Sequence, residues 1–130
     1  MSANKFFVQS KFGVGSRLFR RGLIKRYGSR CLVTGCELEA LLEAAHIAPY
    51  RNNSHNDLSN GLLLRADIHT LFDLYQMRID PVTLTITFNE SVRLAGYSAY
   101  HGQQLQVGNR RPSTACLKIR AGLLSRFDRV

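Results

Sequence analysis

The 130 residues suffice for one domain and are too few for a multidomain enzyme. A hydrophobic share of 45% against 21% charged residues excludes a disordered chain, and no apolar run approaches the roughly 20 residues that cross a bilayer. Eighteen Lys and Arg face nine Asp and Glu, a formal charge of +9 that attracts polyanions.

Residues 1–14 read as an arm. Its apolar run Phe6-Phe7-Val8 is too short for a signal-peptide core, so a cytoplasmic chain with no membrane partner is expected. Over 15–28 the spacing predicts a basic amphipathic helix. Leu18, Phe19, Gly22, Leu23 and Tyr27 fall on one stripe, with Ser16 placed to cap its start and Gly28 its end. Arg17, Arg20, Arg21, Lys25 and Arg26 fill the other positions, and residues 1–30 contain no acid. Fourteen of the eighteen basic residues are Arg, whose planar fork donates paired hydrogen bonds to phosphate. The five helix residues are therefore candidate contacts to a nucleic-acid backbone; a merely solvated basic surface is the plain alternative.

Arg30 to Cys36 reads as a short strand or knuckle entering a turn. The cysteines Cys31, Cys36 and Cys116 are odd in number, and without an export signal they argue against a disulfide framework. Glu37–Leu42 suggests a helical turn, and Ala44–Ile47 a buried strand closed by Pro49. Arg51–Ser59 is polar and reads as an exposed loop, with His55 a plain loop residue. Asn60-Gly61 signals a turn before the strand Leu62-Leu63-Leu64. A helix then starts at Asp67 as N-cap, packing through Ile68, Leu71, Phe72 and Tyr75. Met77–Asp80 and Leu84–Phe88 form a hairpin around Pro81-Val82-Thr83, with Leu84, Ile86 and Phe88 inward and Thr85 and Thr87 outward. Residues 96–112, His101 among them, are loop-rich, and Ser113–Phe127 reads as a last helix with a basic outer face. The fold class is α+β.

His46 ends the first of these strands, Asn60 opens the second, and His69 and Asp73 lie on the helix that follows. An α-helix repeats every 3.6 residues, so His69 and Asp73 at i and i+4 share a face, where imidazole and carboxylate can hold one divalent cation. A histidine across from them, with an ordinary pKa of about 6.5, can take a proton from water. These are the parts of metal-assisted phosphodiester hydrolysis. Read singly, His46 is a hydrogen-bonded core histidine, His69 a surface residue and Asp73 a carboxylate paired with Arg or Lys.

The order resolves part of this. The segments Arg30-Cys31-Leu32-Val33-Thr34-Gly35-Cys36, Leu42-Glu43-Ala44-Ala45-His46-Ile47-Ala48-Pro49-Tyr50 and Asn60-Gly61-Leu62-Leu63-Leu64-Arg65-Ala66-Asp67-Ile68-His69-Thr70-Leu71-Phe72-Asp73 resemble, in sequence, the HNH endonucleases. The likeness is to the bacterial subgroup with Ala-Ala-His-Ile, Asn-Gly-Leu and Asp-x-His-x-Leu-Phe-Asp motifs, and it covers most of residues 15–127. It implies a ββα-metal (His-Me finger) core over 30–76 in a single domain, preceded by the basic helix and supported by a hairpin and C-terminal helix over 77–130. It further implies His46 as general base, Asn60 as the scaffold of the loop between the strands, and His69 as metal ligand. Asp73 matches a position where some members place a second ligand.

The resemblance has a gap. Many members carry Asp or His directly before the base, and this chain has Ala45. Asp73 is the first choice for the second ligand, ahead of Glu43 and Asp67. The zinc-knuckle versions carry two Cys-x-x-Cys pairs, whereas Cys31 and Cys36 stand alone and Arg65 and Ile68 occupy the matching places; no structural zinc is expected. The implied function is DNA phosphodiester hydrolysis in a restriction, defence or mobile-element setting. Mg²⁺ is the expected cofactor, with Mn²⁺ or Ni²⁺ able to substitute. Ala45 motivates the alternative, a catalytically impaired nucleic-acid-binding module with the same fold. The oligomeric state is not specified by the sequence; a homodimer or a part of a larger restriction system are the alternatives.

Overall fold

In the computed structural model, which describes residues 14–49 and 56–128, the basic segment folds as helix α1, Val14–Tyr27. Residues 1–13 of the expected arm, and His55 in the polar loop, lie outside the described residues. Helix α1 is already under way at Val14, so Ser16 is an interior residue and not the cap its type suggests. The other end behaves as expected: Gly28 adopts φ +87° and donates its N–H to the Ile24 carbonyl at 2.8 Å, closing the helix with a left-handed residue.

The Cys31–Cys36 segment is a turn rather than a strand. Cys31 N–H donates to the Cys36 carbonyl and Gly35 N–H to the Cys31 carbonyl, both at 2.9 Å. All three cysteines carry free thiols, and Cys31 is fully buried. A 3₁₀ turn at Glu39–Leu41 then leads into strand β1, Leu42–His46. Strand β2, Gly61–Arg65, pairs antiparallel with it in a register running from Leu42 opposite Arg65 to His46 opposite Gly61. Asn60-Gly61 is not the turn its residue types suggest. Asn60 ends a 3₁₀ turn, Leu58–Asn60, and Gly61 is extended at φ −136°, ψ 153°. Glycine is needed there for space: a Cβ would stand 2.5 Å from Phe19 Cζ and 2.9 Å from both Leu23 methyl carbons. Helix α1 thus lies directly on the Gly61 end of the sheet, where Tyr27 also donates to the Gly61 carbonyl at 3.1 Å.

Helix α2, Ala66–Asp73, follows β2 without a loop and packs on both strands of the sheet. Its first residue precedes Asp67, so Asp67 is not the N-cap; it sits in the first turn and its Oδ1 accepts from Ile68 N–H at 2.9 Å. Ile68 and Phe72 are buried as expected, while Tyr75 lies beyond the helix in the left-handed region at φ +59°.

Strands β3, Met77–Ile79, and β4, Ile86–Phe88, make a second antiparallel pair, shorter than the alternation suggests. Leu84, Ile86 and Phe88 point inward, Thr87 is exposed, and Asp80 Oδ1 accepts from the N–H groups of Val82 and Thr83 at 2.8 Å in the turn. Short helical turns run over 90–100 and so reach into the first residues of the expected loop region, 96–112. His101 is more than a loop residue, since its Nδ1 accepts from Phe88 N–H at 3.0 Å. Helix α3, Thr114–Asp128, is the last element of the described residues. One core unites these pieces: Phe19, Leu23 and Tyr27 of α1, Leu62–Leu64 of β2, Ile68 and Phe72 of α2, Ile86 and Phe88 of β4, and Leu117 of α3. The result is a small α+β fold with two two-stranded antiparallel sheets.

Candidate active site

The helical period places His69 and Asp73 on one face of α2, with His69 Nε2 at 3.2 Å from Asp73 Oδ2. The other ring nitrogen, Nδ1, lies 2.7 Å from Oε1 of Glu43 on β1. His69 is therefore no surface residue: it is 5% exposed and its ring is held by a carboxylate at each nitrogen. Burial disfavours the charged ring, but the hydrogen bonds and charges of Asp73 and Glu43 outweigh it, so its pKa stands above the ordinary histidine value. Asp73, half open to solvent, pairs with this imidazole.

The donor geometry fits a divalent cation. Two ligands each about 2.1 Å from one ion and roughly at right angles stand about 3 Å apart, close to the observed separation of Nε2 and Oδ2. With a proton on Nδ1 donated to Glu43, Nε2 presents its lone pair on the Asp73 side, the carboxylate–histidine arrangement that fixes a metal ligand's tautomer. Among the described residues no group of three or more His, Cys, Asp or Glu side chains is arranged to hold an ion, so any ion here takes most of its coordination shell from water or substrate. Asp67 has other duties. Arg65 grips it through two bonds of 2.7 and 3.0 Å, Tyr97 donates to it at 2.7 Å, and the Arg65 guanidinium, against opposing burial, holds its carboxyl down to about 2.

His46 stands at the far end of β1. Its ring stacks on Phe19 of α1, centroids 4.3 Å apart and planes within 7°, and its Nε2 lies 2.9 Å from Asn56 Oδ1. Glu43 and His46 are three residues apart, about 10 Å along an extended strand, and the pleat sends them to different sides. The described contacts thus join Glu43, His69 and Asp73 in one cluster and His46, Phe19 and Asn56 in a second. Asn60 is nearly fully buried, and its side chain spans the connection between the strands. Oδ1 accepts from Ala48 N–H at 2.9 Å, Nδ2 donates to the Ala48 carbonyl at 3.3 Å, and its own carbonyl accepts from Ile47 N–H at 2.9 Å. Ile47 and Ala48 directly follow His46, so this network fixes where the strand carrying that histidine ends.

The basic helix is divided in its duties. Arg17, Arg21 and Lys25 are exposed. Arg20 instead donates to the carbonyls of Leu42 and Glu39 at 2.9 and 2.7 Å, bracing the start of β1, and Arg26 donates to the Arg111 carbonyl at 3.0 Å.

Glu43 enters the site as the partner of His69, a role that strand parity hints at, since positions 43 and 45 share a face. Phe19 and Asn56 carry no sequence signal, because the first reads as a core residue and the second as one polar loop residue among several. No helix of the described residues is long and apolar enough to cross a membrane.

Comparisons with known proteins bear on the fold and on one segment of the chain. No curated protein matches the chain. A modification-dependent TagI restriction endonuclease of known structure superposes with a TM-score of 0.62 at 20% identity, over 86% of this chain and 39% of its own, which establishes a shared fold. The present chain therefore spans well under half the length of that neighbour. Residues 31–80, from the Cys31 turn through β1, β2 and α2 to the end of β3, match the model of the HNH endonuclease family, so this segment is similar to an HNH endonuclease domain.

Proposed function

We propose that the protein is a divalent-metal-dependent endonuclease that hydrolyses DNA phosphodiester bonds, using Mg²⁺ or, in its place, Mn²⁺ or Ni²⁺, in a restriction, defence or mobile-element setting. The observation that carries the proposal is His69 set between Glu43 and Asp73 with its Nε2 turned to Asp73. His69 and Asp73 would hold the ion, and Glu43 orients the imidazole. A cation bound there offsets the negative charge that develops on the phosphate and the leaving 3′ oxygen.

His46 takes the proton from the attacking water. Asn56 Oδ1 can only accept a hydrogen bond, so it selects the tautomer with the proton on Nε2 and makes Nδ1 the basic nitrogen. Stacking on Phe19 fixes the plane of the ring. In an in-line hydrolysis His46 would act on the side of the attacking water, and a cation held by His69 and Asp73 would act on the side of the leaving oxygen. Arg17, Arg21 and Lys25 supply phosphate contacts that position the duplex without reading bases.

The test is plasmid nicking by the purified protein with Mg²⁺, Mn²⁺, Ni²⁺ or a chelator, beside His46→Ala and His69→Ala. Nicking that needs the ion and falls by at least about 10²-fold in both variants supports the proposal. Unchanged nicking by His46→Ala, or none by the wild type with any of the ions, refutes it. The binding-module reading rests on Ala45, which is fully buried where a ligand is customary. It requires a salt-dependent DNA affinity indifferent to metal and to His69.

A further inference from the structure

The C-terminal helix carries one side chain out of keeping with a supporting role. Arg120 of α3 is partly buried, and its guanidinium carbon lies over two rings, Phe72 at 3.5 Å and Tyr75 at 4.5 Å from their centroids. Its Nη1 donates to the carbonyl of Ile47 at 3.1 Å, and its Nη2 donates to the carbonyl of Phe72. One acceptor belongs to the residue after His46 and the other to the residue before Asp73. A single rigid fork thus joins the end of β1 to the end of α2. Tyr75, whose ring lies against the guanidinium, also holds φ +59°, a left-handed conformation that is uncommon for a bulky residue.

We propose that Arg120 is a positioning residue, clamping the end of β1 to the end of α2 so that His46 and Asp73 keep a fixed relation. The proposal rests on the reading of these two residues as base and ion ligand. Lysine cannot replace the clamp, because a point ammonium neither presents two divergent N–H groups in one plane nor offers a planar face to an aromatic ring. Nor does Asn60 duplicate it: Asn60 fixes the β1 turn to the start of β2, whereas Arg120 is the described link from that turn to the far end of α2.

The test compares Arg120→Ala and Arg120→Lys with Lys118→Ala, an exposed cation on the same helix that controls for lost charge. Amide hydrogen exchange reads the clamp without any need for catalysis. In both Arg120 variants the amides of Ile47 and Ala48, and of Leu74 to Gln76, exchange at least about tenfold faster, while those of the β3–β4 hairpin stay within about twofold of wild type. In nicking assays kcat falls about 10²-fold, with KM for DNA within about twofold, and millimolar methylguanidinium restores part of the kcat of Arg120→Ala. Unchanged exchange at the two clamped segments overturns the proposal, and so does exchange raised uniformly across the domain. A KM that rises at constant kcat also overturns it, making Arg120 a substrate contact. Should the wild type cleave nothing, the endonuclease reading fails while the local exchange response still decides the clamp.

Discussion

Gly61→Ala offers a sharp check on how His46, the proposed base, is supported. The backbone at Gly61 is extended, so alanine meets no conformational penalty and the whole effect comes from one methyl group. That methyl would lie 2.5 Å from Phe19 Cζ and 2.9 Å from Leu23 Cδ1 and Cδ2. Carbon atoms pack at about 3.5–4.0 Å, so the Phe19 ring must retreat by about 1 Å. Phe19 is 4% exposed and Leu23 fully buried, so neither can swing into solvent. Overpacking of this kind costs about 1–3 kcal/mol, offset by about 0.4–1 kcal/mol from a less flexible unfolded chain, a net loss of about 1–2 kcal/mol. For a domain of this size that is a Tm lower by roughly 3–10 °C. The displaced ring is the one stacked on His46, so nicking by fully folded Gly61→Ala falls further than the folded fraction does. Urea unfolding gives the stability term, nicking well below Tm gives the other, and adding Phe19→Leu, which removes the clashing Cζ, recovers part of the stability. A Gly61→Ala protein as stable and as active as wild type would refute this account of Gly61.

Three further outcomes follow from the same structure. Asn60→Ala leaves the buried Ala48 N–H without its acceptor and destabilises by about 1–3 kcal/mol in urea unfolding. Glu43→Gln keeps the shape of the side chain and removes the charge beside His69 Nδ1; Mn²⁺ affinity, measured by titration, falls about 10–100-fold with little change in Tm. Asp80 has a carboxyl held below the usual range by the N–H groups of Thr83 and Val82. Its contribution to stability is complete above the unfolded value of about 4 and is lost as pH falls further, so Asp80→Asn flattens the acid limb of a Tm–pH profile.

What could be read in advance was what depends on local period. The i, i+4 pair His69 and Asp73, the inward face Leu84, Ile86 and Phe88, and the Gly28 stop all follow from spacing along one element. What could not be read depends on register or on distant packing. Glu43 reaches His69 across 26 positions because β1 pairs with β2 as it does and α2 follows without a loop. Asn60-Gly61 carries the residues of a turn, yet Gly61 is there because α1 presses on it, a steric fact invisible to a dipeptide rule. Ser16 and Asp67 have the chemistry of caps, but each helix begins before its candidate residue. Arg120 meets Ile47 across 73 positions, and nothing in its neighbourhood along the chain distinguishes it from any other arginine on a basic helix.

The shared core also bears on what could be moved to another scaffold. The family-matched stretch ends at residue 80, yet the apolar side of its strands is sealed by Phe19, Leu23 and Tyr27 from upstream and by Leu105 and Leu117 from downstream. Excised at those borders, the fragment would bare its leucine-rich strand to water and lose its shape. A graftable cassette must begin ahead of α1 and run through α3, so in this protein the smallest portable folding unit is more than twice as long as its family-matched stretch.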